Sequence, residues 1–252
     1  MHRSGTSLVA NLLRECGVNL GPADEFFPPD PHNADGYWEN RRFVELNDAL
    51  LDALGGGWDM PPPVEANWES SPAAEPFYES AALLLGQLGL EEPWAWKDLR
   101  NSLTLPFWRG VLGDLKVLIC LRNPLEVVLS LQRREASPPT LGLSLWLEYN
   151  RRLLAASDPS GRVITQYDAY FSEPAAELRR VLSTLELSLA EESIEASVSR
   201  IPSRALRHHE AAPDRWSLGL PPAVVDLYEE MAAEAGGRTA QAGASVVRHG
   251  RP

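Results

Sequence analysis

The stretch VLICLRNP, residues 117–124, decides the fold class of this chain. Its first five residues form a continuous apolar run, which is typical of a strand buried on both faces. Arg122 follows at the carboxyl end of that strand, and Pro124 then begins a helix in the first turn, where a missing N–H group costs no hydrogen bond. Two further short strands are predicted at residues 94–96 and 163–165. Strands that alternate with helices predict an α/β fold in which a central parallel sheet is flanked by helices and binds ligands at the carboxyl ends of its strands.

The rest of the chain is mainly helical by its apolar spacing. Eight helices are predicted, over residues 6–16, 41–54, 77–88, 103–111, 124–134, 141–154, 174–185 and 222–233. Trp108, Trp146 and Tyr149 lie at helical spacing within them and are expected in the core. A chain of 252 residues fits one domain with a sizeable core. We therefore expect a single domain over residues 1–235, followed by a flexible tail over residues 236–252, because that end is small and polar.

The composition argues against several classes of protein. A formal net charge of −12 disfavours a nucleic-acid binder with a broad basic face, while a local basic pocket remains compatible with it. Two cysteines, Cys16 and Cys120, do not make a disulfide scaffold and favour a cytoplasmic location, where thiols stay reduced. No apolar run reaches the roughly 18 residues that a membrane-spanning helix needs. Only Lys97 and Lys116 are lysines, so a Lys within a motif carries more information here than an Arg does.

The sequence HRSGTS, residues 2–7, stands at the start of the first predicted helix. A helix N-terminus presents unpaired N–H groups and a partial positive charge, and it therefore binds phosphate. Gly5 allows the backbone to approach an anion closely, and Thr6 and Ser7 add hydroxyl donors. Arg3 adds a guanidinium group that binds oxyanions through two parallel hydrogen bonds. The alternative is that the Ser and Thr residues only cap the helix.

This segment differs from the loop G-x-x-x-x-G-K-[ST] that binds nucleoside triphosphates. Thr6 stands where that motif has the Lys that reaches the β and γ phosphates. A phosphoryl transfer driven by ATP or GTP would lack a central part without this Lys. The loop therefore suits a single 5′ phosphate better than a triphosphate with Mg²⁺, and a P-loop kinase is kept as an alternative function.

A second anion-binding motif follows the apolar strand. Arg122 lies at the carboxyl end of the strand, and Ser130 follows eight residues later, about two turns along the next helix. Because Ser130 lies on an otherwise apolar helix face, it can turn inward toward the anion that Arg122 binds. The alternative is that Asn123 caps this helix and that Ser130 is solvated.

Together, the two motifs resemble those of the sulfotransferases that use 3′-phosphoadenosine-5′-phosphosulfate (PAPS). That family has a Lys- or Arg-Ser-Gly-Thr-Thr/Ser loop and, later, Arg-Asn-Pro with a Ser eight residues on. The resemblance covers roughly residues 1–235 and extends to its bacterial branch through the segments GYWE at 36–39 and WKDLR at 96–100, although Leu99 replaces the family's Pro. It implies a P-loop NTPase-like sulfotransferase fold. It also implies a set of PAPS-binding residues, which are Arg3, Ser4, Gly5, Thr6 and Ser7 at the 5′ phosphosulfate and Arg122 and Ser130 at the 3′ phosphate.

The resemblance also implies the reaction and its catalytic residues. The sulfuryl group of PAPS would pass to a hydroxyl of a carbohydrate or small-molecule acceptor, and no metal ion is required. Arg3 would neutralise the phosphosulfate, and Lys97 would contact the sulfuryl oxygens. Glu39 is the first candidate for the general base, with His32 and Asp98 as the others. Alternatively, Lys97 is a surface residue paired with Asp98, and Glu39 only stabilises a helix N-terminus.

Two other aspects of function stay open in the sequence. Trp58 and Tyr167 are candidates for stacking on the adenine ring, but eight Trp and six Tyr in the chain leave that choice open. A non-catalytic nucleotide-binding protein of the same fold would carry the same motifs and is a further alternative. No motif in the sequence identifies the acceptor or the oligomeric state.

The position of the phosphate loop raises an expectation about the sheet. In phosphate-loop folds a buried central strand precedes this loop, and only Met1 and His2 precede Arg3 in this sequence. We therefore expect the first strand to be missing. Loss of a central strand exposes unpaired backbone groups and apolar surface, so a chain of this length is expected to be marginally stable or poorly soluble.

Overall fold

Two parallel strands form the sheet in the computed structural model, which describes residues 1–30, 36–201 and 219–236. Strand β1, Val117–Leu121, pairs in register with strand β2, Arg162–Gln166, so that Ile119 lies beside Ile164. Both of these side chains are buried, as the continuous apolar run predicts. The expected α/β class, a parallel sheet with helices packed around it, is confirmed.

Ten α-helices surround the sheet in the described part of the chain. They are α1 Thr6–Glu15, α2 Arg41–Ala53, α3 Glu75–Leu88, α4 Asn101–Leu112, α5 Pro124–Glu135, α6 Pro139–Ala156, α7 Ala169–Ser172, α8 Pro174–Thr184, α9 Glu191–Val198 and α10 Pro222–Glu234. The eight predicted helices are all confirmed to within a few residues. Sequence analysis missed α7, which is a single turn, and α9, whose polar sequence buries only Ile194 and Ser197.

The predicted strand at residues 94–96 is wrong. Only a single parallel bridge joins Trp94 to Asn19. Asn19 donates from its N–H group to the Pro93 carbonyl at 2.9 Å and accepts from the Ala95 N–H group at 2.9 Å, so no ladder extends beyond one residue. The Trp96 ring stacks instead on Phe43, with the ring centroids 5.2 Å apart. Aromatic packing therefore accounts for the apolar character that predicted a strand.

Three apolar clusters make up the core. One packs β1 against α4, α5, α6 and α10, the second packs α1 against α8 and α9, and the third lies among α2, α3 and α4. Trp108, Trp146 and Tyr149 are fully buried, which confirms their predicted place in the core. Within the described residues, no helix has the length and apolar character that crossing a membrane requires. Residues 237–252, nearly all of the predicted tail, lie outside the described part of the chain.

The sheet brings three distant segments together at the carboxyl ends of its strands. β1 ends directly before Arg122, and the Tyr167 N–H group extends the pairing by donating to the Leu121 carbonyl at 2.9 Å. Helix α1 begins at Thr6, directly after Gly5. The candidate site lies where these segments meet.

Candidate functional site

The backbone that leads into α1 leaves the N-terminus of that helix open to an anion. Arg3 and Gly5 both have left-handed backbone conformations, with φ of 59° and 86°. Gly5 is the N-cap residue, and no side chain caps the helix. The alternative that Ser and Thr residues only cap this helix is therefore wrong. The first N–H groups of a helix have no partner within it, so they are suited to bind phosphate or sulfate oxygens.

The ring of Tyr167 fixes the identity of residue 5. A Cβ atom added to Gly5 would lie 2.2 Å from Cδ2 of Tyr167, far inside van der Waals contact. The Arg122 guanidinium group lies over the same ring, with its central carbon 4.4 Å from the ring centroid. Tyr167, which was a candidate for adenine stacking, thus contacts both anion-binding motifs.

The two motifs are joined directly by hydrogen bonds. Arg3 Nε donates to Ser130 Oγ at 2.8 Å, and Arg122 Nη1 donates to the Arg3 carbonyl at 3.1 Å. Asn123 does cap α5, but Ser130 is only 6% exposed, so the alternative of a solvated Ser130 is wrong. The structure thus brings Arg3, Arg122 and Ser130 together.

Charge is concentrated around this junction. Burial lowers the pKa of Arg3, and the neighbouring guanidinium groups of Arg134 and Arg122 lower it further. Arg122 is paired with the buried Glu126, whose Oε2 accepts from Arg122 Nε at 2.9 Å. Positive charges that are held close together within partly buried surroundings favour the binding of an anion.

Lys97 and Glu39 form a second part of the site, beside the first turn of α1. Lys97 Nζ donates to Glu39 Oε1 at 2.5 Å, to the Tyr37 carbonyl at 3.0 Å and to Ser7 Oγ at 3.4 Å. The side chains of Lys97 and Glu39 are only 14% and 12% exposed. Lys97 is therefore not a surface residue, and its ion-pair partner is Glu39, not Asp98. The N-cap of α2 is Asn40, which accepts from the Arg42 N–H group, so Glu39 does not cap that helix.

The remaining candidates for the base differ in their surroundings. Asp98 is buried and accepts hydrogen bonds from Asn47 Nδ2 at 2.8 Å, and from Nη1 and the backbone N–H group of Arg100, both at 3.0 Å. These contacts hold the turn that follows Lys97 and occupy the Asp98 carboxylate. His32 lies outside the described residues.

Sequence analysis missed His2 and Arg134. The His2 ring packs edge-on against Trp58 at 4.6 Å between centroids and lies 6.4 Å from the Tyr149 ring. Its Nε2 atom is buried and has no hydrogen-bond partner in the described structure. Burial lowers the pKa of His2 well below its usual value, and the positive charge of Lys97 lowers it further. In the sequence, His2 could have been identified by its position next to Arg3. Arg134 could have been identified by its spacing of four residues from Ser130.

No metal-binding cluster accompanies these residues. In the described ranges, no three His, Cys, Asp or Glu side chains come together in a way that could hold a metal ion. Apart from the carboxylates of Glu39 and Glu126, the site of the described chain is built from guanidinium, ammonium, hydroxyl and backbone N–H donors, which are ligands for anions.

A comparison with solved structures identifies the fold. The structure is similar to the sulfotransferase domain of the olefin synthase from Synechococcus PCC 7002, with a TM-score of 0.51 over 91% of each chain. The chain has a sulfotransferase fold. The identity of 17% between the two chains means that this likeness extends to the fold alone. No protein-family model matches the chain, and the search of curated proteins found no match.

The contact of Gly5 with Tyr167 is testable with a matched pair of glycines. Gly5 and Gly17 both have positive φ, but a Cβ atom on Gly17 meets nothing within 4 Å. We expect Gly17→Ala to lower the free energy of unfolding by about 1–2 kcal/mol, the cost of a left-handed alanine. Gly5→Ala should cost about 1–3 kcal/mol more because the Tyr167 ring must move. Urea denaturation measures both, and equal costs would show that the ring contact is absent.

The partly buried His2, whose Nε2 atom has no contact with solvent, predicts a dependence of stability on pH. Because its pKa is lowered in the folded state, protonation at about pH 6.5 occurs first in unfolded chains, so stability falls as the pH falls below that value. Between pH 7.5 and 5.5, His2 should remove on the order of 1 kcal/mol from the free energy of unfolding. Over the same pH range, the fall in the free energy of unfolding should be smaller in His2→Gln than in the wild type by that amount. Urea denaturation at both pH values measures the two changes. Parallel losses in the two proteins would contradict a neutral His2 in the folded state.

Proposed function

We propose that this protein is a sulfotransferase that transfers the sulfuryl group of PAPS to a hydroxyl of a carbohydrate or small-molecule acceptor. The observation that carries the proposal is the hydrogen bond from Arg3 to Ser130, which joins the two anion-binding motifs beside an uncapped helix N-terminus. The sulfotransferase fold supports it independently. A cytoplasmic location belongs to the same proposal, since the nucleotide donor and the two free cysteines both suit a reducing interior.

The donor set matches the charge distribution of PAPS, which is anionic at both its 3′ phosphate and its 5′ phosphosulfate. Arg122 and Ser130 are assigned to the 3′ phosphate. The 5′ group is assigned to the loop before α1 and to its first turn, which comprise Arg3, Ser4, Gly5, Thr6 and Ser7. Backbone N–H groups would supply most of these contacts, because the Ser4 side chain is buried and lies 3.5 Å from the His2 carbonyl.

The reaction breaks the bond between sulfur and the 5′ phosphate oxygen and forms a bond from sulfur to the acceptor oxygen, while the acceptor hydroxyl loses its proton. Arg3 stabilises the negative charge that develops on the phosphate oxygen. Lys97 hydrogen-bonds the oxygens of the transferred group, and Glu39 takes the proton. The ion pair between Lys97 and Glu39 supports these roles, because it holds a cation and a base together beside Ser7.

Two other functions would use a similar fold. A P-loop kinase is disfavoured because Thr6 replaces the Lys that contacts the β and γ phosphates. A non-catalytic nucleotide-binding protein would retain the anion site but would have no need for a partly buried ion pair of Lys97 and Glu39. Nucleotide preference distinguishes the kinase from a sulfotransferase. Turnover distinguishes the non-catalytic protein from an enzyme.

Nucleotide preference is measured by thermal shift and by isothermal titration calorimetry. We expect adenosine 3′,5′-bisphosphate to stabilise the protein by about 2.7 kcal/mol at 100 times its dissociation constant. AMP, which lacks the 3′ phosphate, should bind at least about tenfold more weakly because it does not engage Arg122 and Ser130. Stabilisation by ATP with Mg²⁺ in preference to the bisphosphate would instead support the kinase.

Glu39→Gln tests the assignment of the base. Sulfuryl transfer from PAPS to a panel of sugar and small-molecule alcohols should fall about 10²–10⁴-fold in kcat. The KM for PAPS should change little, since glutamine retains the shape of the side chain. Glu45→Gln is the matched control, because Glu45 is exposed on α2 and should leave turnover unchanged. A loss of only a few-fold for Glu39→Gln would remove Glu39 from the proton transfer, and a wild type that binds the bisphosphate but gives no product would support the non-catalytic alternative.

A further inference from the structure

Arg134 lies near the candidate site but belongs to neither sequence motif. It follows Ser130 by four residues on α5, so the two side chains lie on the same face of the helix, one turn apart. Its chain neighbour Arg133 is exposed, whereas Arg134 is half-buried. Both arginines stand in the last turn of α5, where either charge stabilises the helix dipole equally well. Arg134 therefore makes contacts within the protein that Arg133 lacks.

The contacts of Arg134 extend to both sides of the site. Its guanidinium carbon lies 5.0 Å from the centroid of the Tyr37 ring. The Tyr37 carbonyl accepts a hydrogen bond from Lys97, and its hydroxyl donates to Asp30 Oδ2 at 2.6 Å. On the other side, the charge of Arg134 acts on Arg3 and lowers the pKa of that guanidinium group more than Arg122 does. Arg134 therefore lies between the phosphate loop and the segment that holds Lys97.

Three guanidinium groups thus lie close to one another, and one of them binds the buried Ser130 hydroxyl. Arg3 donates to Ser130, Arg122 binds the Arg3 carbonyl, and Arg134 is one helical turn beyond Ser130. Glu126 pairs with Arg122. A dianionic phosphate next to Ser130 would relieve the mutual repulsion of these groups.

On the basis of the proposed function, we propose that Arg134 is a further donor-binding residue that contacts the nucleotide phosphate beside Ser130 and connects it to the Tyr37 ring. In this role Arg134 increases the preference for a nucleotide with a 3′ phosphate over one with a 5′ phosphate alone. The Tyr37 ring limits the movement of the guanidinium group over it, so less rotational freedom is lost when the phosphate binds.

The test compares Arg134→Gln with Arg133→Gln, two variants that lose the same charge one residue apart. Calorimetry measures the binding of adenosine 3′,5′-bisphosphate and of AMP to each protein. Arg134→Gln should weaken the bisphosphate about 10–100-fold and AMP by less than about threefold, so that the preference falls. Arg133→Gln should leave both affinities within about twofold. Arg134→Lys, which keeps the charge but loses the planar fork, should give an intermediate loss and serves in its place if Arg134→Gln does not fold.

The possible outcomes separate this assignment from the proposed function. Equal weakening by Arg133→Gln and Arg134→Gln would mean that only the overall field matters, and it would overturn the role of Arg134. Equal loss of bisphosphate and AMP affinity in Arg134→Gln would also overturn it, because the residue would then not act at the 3′ phosphate. A wild-type protein that fails to bind the bisphosphate would overturn the proposed function itself and this assignment with it.

Discussion

The hydrogen bond from Arg3 to Ser130 joins residues 127 positions apart and determines how the rest of the candidate site is arranged. It requires the left-handed turn at Arg3 and Gly5, which directs the backbone into α1 without a side-chain cap. It also requires β1 to end at Leu121, because Arg122 then reaches the Arg3 carbonyl. With Ser130 nearly fully buried, loss of this contact would leave a desolvated hydroxyl and guanidinium group without each other, at a cost of about 1–3 kcal/mol.

The candidate site is rich in positive charge, although the protein as a whole is negatively charged. The chain carries a net charge of −12, yet Arg3, Arg122, Lys97 and Arg134 are gathered around one helix N-terminus. At physiological ionic strength, charges farther than about 8 Å away are largely screened. A polyanion in the site would therefore respond mainly to these local cations and to the N–H groups of α1, and only weakly to the distant carboxylates.

Local patterns in the sequence predicted the eight helices, the buried strand β1 and the inward position of Ser130. The apolar run before Arg122 gave a buried strand, and the spacing from Arg122 to Ser130 placed a hydroxyl near the strand end. The errors came from contacts between distant residues. Trp94 and Trp96 were predicted in a strand because both are apolar, but they pack in an aromatic cluster. The burial of His2 depends on Trp58 and Tyr149, which no local pattern connects to it.

Tyr37 connects two parts of the candidate site, the pair of Lys97 and Glu39 and the helix α5, through different atoms. Its carbonyl accepts a hydrogen bond from Lys97, which is paired with Glu39, and its ring lies against Arg134 on the helix that carries Ser130. Burial and the hydrogen bond to Asp30 raise the pKa of Tyr37 to about 12, so the hydroxyl keeps its proton and that bond even at a pH where an ordinary tyrosine ionises. A shift of Tyr37 would therefore move the proposed base relative to the proposed phosphate site. Because a misplacement of about 1 Å can cost roughly 10²-fold in rate, the backbone hydrogen bond of Tyr37 would contribute to the proposed catalysis by holding Lys97 in position.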